Sequence, residues 1–215
     1  MKKVSDSTVL RLSLYRRHLR EFAEQGCSTV SSEDLAARAG TTAAQVRKDL
    51  SVFGTFGKRG LGYPVAELAD ALREILGLRR DWRVAVVGAG KIGSALMGYR
   101  EFGSEGFEIV VGFDADPAKV GGTVQGVPVR SDDVMEAELV ARGIDIVIVA
   151  VPAPAAQPVV DRAVAAGARA ILNFAPVSLD VPSGVALRNV NMAVELEGLS
   201  YALNAFGHAR DEGVS

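Results

Sequence analysis

A glycine-rich turn directly after a buried strand constrains the fold of this 215-residue chain more than any other feature. The apolar run of residues 82–87 leads into Gly88-Ala89-Gly90-Lys91-Ile92-Gly93, and a helix is predicted from residue 94. In such a G-x-G-x-x-G motif, Gly88 makes the tight turn, Gly90 lets the backbone approach a pyrophosphate, and Gly93 lets helix and strand pack closely. The motif predicts a dinucleotide-binding Rossmann domain in which the helix N-terminus faces the phosphates.

The next apolar run, residues 107–113, ends in an acid that the same fold uses. Asp114 lies 21 residues beyond Gly93, near the separation of about 20 at which a carboxylate binds the ribose 2′-hydroxyl. A negative charge there repels a 2′-phosphate, so we expect NAD(H) rather than NADP(H). A Rossmann domain that binds a different nucleotide is the alternative.

Strands and helices continue to alternate along the chain. We predict helices over residues 132–141 and 155–166, and strands over 145–151, 169–174 and 185–190. This alternation predicts the α/β class, with a doubly wound parallel sheet, right-handed crossovers and ligands beyond the carboxyl ends of the strands. Those ends carry Val151-Pro152 and Asn173, which are candidate walls for a nicotinamide ring. Simple packing turns are the alternative for both.

A helix-turn-helix is predicted near the N-terminus, after a helix over residues 7–25. Ser31 with Asp34, and Thr42 with Gln45, each form a capping-box pattern. They begin two short helices that are separated by a three-residue turn containing glycine, which is the spacing of a helix-turn-helix.

The second short helix, predicted to run to Phe53, is the candidate recognition helix for a DNA major groove. Its early turns carry Gln45, Arg47 and Lys48, the residue types that bind base edges and phosphates. These three side chains are therefore candidate DNA contacts.

Four glycines between residues 54 and 62 bracket Lys58 and Arg59. The pattern favours a basic hairpin, the wing of a winged helix, whose arginine can enter a narrow minor groove; a surface loop with incidental charge is the alternative. Residues 1–80 carry 14 Lys and Arg against 9 Asp and Glu, whereas residues 81–215 carry 10 against 17. A basic part joined to an acidic part indicates that the first part meets a polyanion.

These features divide the chain into three parts. We predict a winged-helix DNA-binding domain over residues 1–80, a Rossmann domain over 81–192, and a C-terminal dimerisation helix and tail over 193–215. The last helix is expected at residues 196–206. Its apolar stripe has little left to cover in its own chain, so we expect it to pack on a partner subunit. The stripe comprises Leu196, Leu199, Leu203 and Phe206.

An enzyme is disfavoured by the residues that one would need. A dehydrogenase requires an acid or base near the nicotinamide and a substrate domain, but the two histidines, His18 and His208, lie outside the predicted nucleotide fold. No metal-ligand cluster is visible, and no apolar run approaches the ~20 residues of a membrane span. The single cysteine, Cys27, fits a reducing cytoplasm. We expect a cytoplasmic regulator; a small NAD-dependent oxidoreductase with an accessory domain is the alternative.

Together these segments resemble the Rex family of redox-sensing transcriptional repressors over essentially the whole chain. The resemblance implies a homodimer with domain-swapped C-terminal helices. It implies repression of anaerobic and NADH-reoxidising genes through an inverted-repeat operator, and release from DNA by NADH, with weaker binding of NAD+. The matching segments are residues 46–51, 60–63, 87–93, 112–116, 151–152 and 172–177.

The resemblance also assigns roles by position. It implies that Arg47, Lys48 and Arg59 contact DNA, and that Tyr99 and the Pro152 region lie near the nicotinamide. It implies that the motif glycines and Asp114 hold the dinucleotide. One departure is Asn191, where many relatives have Asp. A repressor of another ligand, such as an acyl-CoA, is a further alternative that Asp114 disfavours.

Overall fold

The computed structural model describes the backbone of residues 4–58 and 60–211, and the side chains of these residues up to 204. Contacts between Cα atoms separate two compact units, residues 1–80 and 81–215. Each unit has its own hydrophobic core. None of the helices within the described residues combines the length and apolarity needed to cross a membrane.

The first unit is a helical bundle with a small two-stranded sheet. The apolar stripe of its first helix is buried in the core: Leu12, Tyr15, Leu19 and Phe22. The two strands pair antiparallel. The elements are α1 (Asp6–Glu24), β1 (Thr29–Val30), α2 (Ser32–Ala39), α3 (Ala43–Ser51), β2 (Tyr63–Pro64) and α4 (Val65–Ile75).

The turn between α2 and α3 follows the predicted cap signals. Ser31 and Asp34 form a complete capping box at the start of α2, because each side chain bonds the backbone of the other. Gly40 ends α2 in the left-handed conformation, at φ 63°, where glycine has no steric penalty. The predicted helix-turn-helix is therefore present.

Helix α3 differs from its prediction in two details. The hydroxyl of Thr42 accepts a bond from the backbone N–H of Gln45, as expected of a cap. The side chain of Gln45 donates to Asp49 instead of returning to Thr42, so the second capping box is only half formed. The helix ends at Ser51, not at the predicted Phe53.

The predicted wing forms a tight basic hairpin. The backbone N–H of Lys58 donates to the carbonyl of Gly62 at 3.1 Å, and that of Leu61 donates to the carbonyl of Lys58 at 3.0 Å. Gly57 and Gly62 have φ of 70° and 77°, and a Cβ at either position would collide with a backbone carbonyl oxygen. This turn therefore requires glycine at both positions. Arg59 lies outside the described residues.

The second unit is built on a seven-stranded sheet of order β5-β6-β4-β3-β7-β8-β9. The strands from β6 to β9 are parallel, and their order is that of a Rossmann fold, with the direction of winding reversed between β3 and β7. The elements are β3 (Trp82–Val87), α5 (Lys91–Met97), α6 (Glu101–Ser104), β4 (Phe107–Asp114), β5 (Thr123–Val124), β6 (Val127–Ser131), a 3₁₀ turn (Asp132–Val134), α7 (Met135–Ala141), β7 (Ile146–Val149), α8 (Ala153–Ala165), β8 (Ala170–Asn173), β9 (Ala186–Asn189) and α9 (Met192–Asp211).

One edge of this sheet was not predicted. Strand β5 runs antiparallel to β6, so the sheet is mixed rather than wholly parallel. The hairpin turns at Gln125 and Gly126, both at positive φ. Strand β5 has only two residues, too few for periodicity to reveal it, and β6 contains Pro128, which argues against a strand when only the sequence is known.

The C-terminal helix is longer than its prediction. Helix α9 begins four residues before the predicted residue 196 and continues past 206. The side-chain oxygen of Asn191 accepts a bond from the backbone N–H of Ala193 at 3.0 Å. Asn and Asp serve equally well in such a position, so the departure at Asn191 keeps this bond. The side chain of Phe206 lies outside the described residues.

Candidate functional site

The glycine motif lies at the carboxyl ends of β3 and β7, where the winding of the sheet reverses. The backbone N–H of Gly88 donates to the carbonyl of Phe113 at 2.7 Å. Gly88 has φ of 98°, and a Cβ there would collide with the carbonyl of Ala150. A Cβ at Gly93 would collide with the carbonyl of Gly88. The packing of the loop and its neighbouring strands therefore requires these two glycines.

Gly90 has a different reason to be glycine. Its φ of −78° and ψ of −167° are accessible to any residue, and a Cβ there would meet no protein atom within 4 Å. The packing of the chain does not explain the glycine, whereas an approaching pyrophosphate does. Beside it, Lys91 and Ile92 are exposed and Ala89 is buried. The loop therefore fits a dinucleotide.

Asp114 ends β4 and is tied to the glycine loop. Its Oδ2 accepts bonds from the backbone N–H of Ala89 at 2.7 Å and from Nζ of Lys119 at 3.0 Å. Its Oδ1 accepts a bond from the backbone N–H of Asp116 at 2.9 Å. Burial alone raises the pKa of the Asp114 carboxyl, but these bonds outweigh it and hold the pKa below the ordinary value. The carboxylate is thus ionised, and Lys119 is a partner that sequence analysis did not predict.

Asn173 ends β8 and is 1% exposed. Its Nδ2 lies within hydrogen-bond distance of the carbonyls of Ala175 and Val177 and of the side-chain oxygen of Asn189, and its Oδ1 accepts from the N–H of Ala175. These bonds engage the amide inside the sheet edge. Asn173 therefore shapes the loop that follows β8 and has no spare N–H to offer a ligand.

The other residues predicted beside the nicotinamide follow α5 and β7. Tyr99 is half exposed, its hydroxyl donates to Glu101 at 2.7 Å, and its ring meets Phe102 edge-on at 5.0 Å between centroids. Val151 borders the glycine loop, since its Cγ1 lies 3.0 Å from where a Cβ of Gly88 would stand. Pro152 precedes α8 and is exposed.

In the first unit, an open groove of about 890 Å³ separates α3 from the wing. It collects side chains from three sequence-distant segments. Its lining residues include Ser32 and Glu33 from α2, Arg47 and Ser51 from α3, and Lys58 and Leu61 from the hairpin.

Arg47 reaches across this groove to α2. Its Nη1 donates to Oγ of Ser32 at 2.7 Å and to Oε1 of Glu33 at 3.1 Å. Lys48 and Lys58 are exposed. Three of the candidate DNA contacts with described side chains, Arg47, Lys48 and Lys58, are thus cations of the first unit. The fourth, Gln45, donates to Asp49.

Asp49 is the buried residue that sequence analysis missed. It is 2% exposed, and its carboxylate accepts bonds from Arg11, Tyr15 and Gln45. Its spacing of three from Val46, on the core-facing side of α3, was the available signal.

Other chemistry-bearing groups are sparse. Among the described residues, no group of three or more His, Cys, Asp or Glu side chains is arranged to hold a metal ion. Cys27 is half-buried and packs against the core of the first unit.

Relatives are known for both units. The family model described as "CoA binding domain" matches residues 79–177, and the one described as "Putative DNA-binding protein N-terminus" matches residues 3–51. The chain is 46% identical over 201 residues to the redox-sensing transcriptional repressor Rex of Syntrophomonas wolfei. The match covers 94% of this chain and 96% of that protein.

Solved structures of RSP, a Rex-family repressor, resemble the whole chain. Its complex with β-NAD+ and operator DNA has a TM-score of 0.91 and 36% sequence identity, and the match covers 100% of both chains. Its complex with β-NADH has a TM-score of 0.89 and 36% identity, over 98% of this chain and 99% of that one.

Proposed function

The chain belongs to the Rex family of redox-sensing transcriptional repressors, and from this membership we propose that it binds an inverted-repeat operator and leaves it when NADH binds. One observation carries the proposal: a glycine loop closed by Asp114 and a helix-turn-helix with a basic hairpin occur in one chain. RSP, which matches this chain from end to end, was solved with operator DNA and with both redox forms of the dinucleotide.

The glycine loop and its neighbours are the proposed ligand site. Asp114 accepts the ribose 2′-hydroxyl, and its charge disfavours a 2′-phosphate and the 3′-phosphate of a coenzyme A. Tyr99, Val151 and Pro152 border the ring, while Asn173 holds the adjoining loop in shape. The backbone that faces the pyrophosphate belongs to Gly88, Ala89, Gly90, Lys91, Ile92 and Gly93.

The groove between α3 and the wing is the proposed DNA site. Arg47 and Lys48 enter the major groove from α3, and Lys58 and Arg59 meet the adjacent minor groove. Gln45 reaches a base only after its bond to Asp49 opens. Of the candidate α3 side chains, it therefore contributes least to DNA affinity.

The redox response follows from linkage. NADH is neutral at its ring and NAD+ is cationic there, so enclosing the reduced ring requires less desolvation. A ligand shifts the protein away from DNA only by its difference in affinity for the free and DNA-bound states. If NADH weakens operator binding by a given factor, the operator must weaken NADH binding by the same factor.

A homodimer completes the proposed repressor. Residues 192–204 of α9 are exposed apart from the half-buried Ala202, although they include apolar side chains such as Leu196, Leu199 and Leu203. Monomeric proteins rarely leave so continuous an apolar face in water. We assign that face to a partner subunit, with α9 swapped between the two copies.

We also infer a regulator rather than an enzyme, acting in the cytoplasm where its operator lies. Of the candidate ring-side residues Tyr99, Val151 and Pro152, only Tyr99 could exchange a proton with a substrate, and its hydroxyl already donates to Glu101 at 2.7 Å. Steady consumption of NADH with a carbonyl substrate would instead favour the oxidoreductase alternative.

Fluorescence anisotropy of a labelled inverted-repeat operator tests the proposal. The purified protein should bind the duplex tightly, and NADH should release it at a much lower concentration than NAD+. If NADH and NAD+ release the operator at the same concentration, the protein does not sense the redox state. If the protein binds the operator tightly and neither dinucleotide releases it, it is a repressor that responds to another ligand. If it shows no preference for the operator, it is not a repressor of this kind.

A further inference from the structure

Two residues of α2 hold one edge of the Arg47 guanidinium. Its Nη1 donates to Oγ of Ser32 at 2.7 Å and to Oε1 of Glu33 at 3.1 Å, and Oγ of Ser32 lies 3.2 Å from Oε2 of Glu33. Ser32 is only 8% exposed. The capping box formed by Ser31 and Asp34 fixes the first turn of α2 immediately around these groups. Arg47 is therefore held by two side chains of a helix turn whose backbone is itself fixed by the capping box.

Glu33 is charged in this arrangement. Its carboxylate accepts a bond from its own backbone N–H and another from Arg47, and both lower the pKa of Glu33 below its ordinary value. It lines the groove between α3 and the wing together with Arg47 and Lys58. An ionised acid thus stands on a surface that we assign to a polyanion.

The opposite edge of Arg47 is available. Within the residues whose side chains the structure describes, Nη1 is the only guanidinium nitrogen of Arg47 with a hydrogen-bond partner. The Nε–Nη2 edge carries two parallel N–H groups, the geometry that matches the two acceptors of a guanine in the major groove. A long side chain that is already held in place loses less rotamer entropy when it binds.

We propose that Glu33 is a positioning residue for base recognition, which fixes Arg47 so that its free edge meets a base while its own charge repels DNA of every sequence. This inference rests on the proposed function, because Arg47 needs DNA to act on. Glu33 therefore lowers affinity for random DNA and raises the preference for the operator. A free Arg47 would follow the nearest phosphate, a contact that carries no sequence information.

The test measures preference rather than affinity alone. Anisotropy titrations of the full chain compare the operator duplex solved with RSP against a scrambled duplex of equal length. We expect Glu33→Gln to bind the scrambled duplex more tightly and to lower the operator preference about threefold, a modest factor because both partners of the pair are exposed. Glu24→Gln removes an equal charge from an exposed position of α1 and should leave the preference unchanged.

A double-mutant cycle separates positioning from surface repulsion. In an Arg47→Ala background, Glu33→Gln should no longer change the operator preference, because there is no arginine to position. Thermal melts followed by circular dichroism should be the same for all variants, which shows that the first unit, where the substitutions lie, is folded in each.

Three results overturn the inference. If Glu33→Gln raises the affinity for both duplexes equally and leaves the operator preference unchanged, Glu33 acts only as a repulsive charge. If Glu33→Gln raises the operator preference, Glu33 keeps Arg47 away from the operator. If Glu33→Gln has the same effect in the presence and in the absence of Arg47, Glu33 does not act through Arg47. If the parent protein shows no preference for the operator, the proposed function itself fails, and that failure is visible before any variant is compared.

Discussion

Arg11 and Asp49 form a two-pronged ion pair that ties the recognition helix α3 to α1. Nε of Arg11 lies 2.6 Å from Oδ2 of Asp49, and its Nη2 lies 2.8 Å from Oδ1. The Asp49 side chain is 3% exposed, against 23% for Arg11. Tyr15 and Gln45 donate to the same carboxylate. Arg11 and Tyr15 belong to α1, so the carboxylate ties α3 to that helix, and with it the helix turn that carries Arg47.

Removing the charge of Asp49 should destabilise the first unit. We expect Asp49→Asn to lower the free energy of unfolding by about 3 kcal/mol, because Arg11 then loses its buried counter-charge. Urea denaturation followed by circular dichroism measures this. The exposed pair of Asp70 and Arg79 is the control, and Asp70→Asn should change stability by less than about 1 kcal/mol. Equal effects of the two substitutions would contradict a structural role for the buried pair.

The same carboxylate should make stability depend on pH. Burial alone raises the pKa of Asp49, but the bonds from Arg11, Gln45 and Tyr15 outweigh it and hold the pKa below the ordinary value. A depressed folded-state pKa gives stability that is complete above the unfolded value of about 3.9 and is lost as the pH falls through the folded value. The stability difference between the parent protein and Asp49→Asn should therefore narrow below about pH 4. The same urea titrations measure this difference at each pH. If the difference grows on acidification, the pKa of Asp49 in the folded protein is raised rather than lowered.

Local signals predicted most of the fold. The capping box of Ser31 and Asp34, the left-handed Gly40 and the turn at Gly88 are each set by a few neighbouring residues, and the sequence was sufficient for them. The bidentate pair of Arg11 and Asp49 joins residues 38 positions apart. No periodic pattern encodes such a partnership, since it exists only after α1 and α3 have packed.

The candidate site divides in the same way. Its glycines and Asp114 were predictable because strand, turn and helix impose a fixed spacing. Lys119 could not be predicted as the partner of Asp114, because an irregular turn after β4 brings its side chain back to that strand. Asn173 was predicted as a ligand contact from its place at a strand end. Its side chain is engaged by the following loop, which a strand-end rule does not foresee.

Two glycines of the motif should respond differently to the same added methyl group. Gly90→Ala should leave stability nearly unchanged, because a Cβ there meets no protein atom within 4 Å, but should weaken NADH binding about tenfold or more by blocking the pyrophosphate. Gly93→Ala should lower the free energy of unfolding by about 1–3 kcal/mol, because the new Cβ collides with the carbonyl of Gly88. Thermal melts and NADH fluorescence titrations separate the two effects. If Gly90→Ala binds NADH as tightly as the parent protein does, the pyrophosphate does not bind against this loop.

Asp114 and Lys119 should act in opposite directions on the choice between NADH and NADPH. Asp114→Asn removes the charge that repels a 2′-phosphate, so we expect the affinity ratio of NADPH to NADH to rise about tenfold. Lys119→Met removes the ammonium that lies 3.0 Å from Asp114, so the ratio should fall because the acid is no longer compensated. Isothermal titration with each dinucleotide measures both. A shift in the same direction for the two variants would mean that the 2′-position of the ribose is not read by this pair.

A charge on the exposed face of α9 should dissociate the proposed dimer. Leu196, Leu199 and Leu203 are 65%, 61% and 69% exposed, and their spacings of three and four place them on one side of the helix. Burying a leucine contributes about 2 kcal/mol, so Leu199→Glu should remove that contribution from each copy and add an unpaired buried charge. Light scattering after size-exclusion chromatography should then give the mass of one chain, and operator affinity should fall because two linked half-site contacts become one. Glu197→Gln, on the same helix, should remain dimeric. If Leu199→Glu also stays dimeric, the interface lies elsewhere and the apolar face of α9 needs another partner.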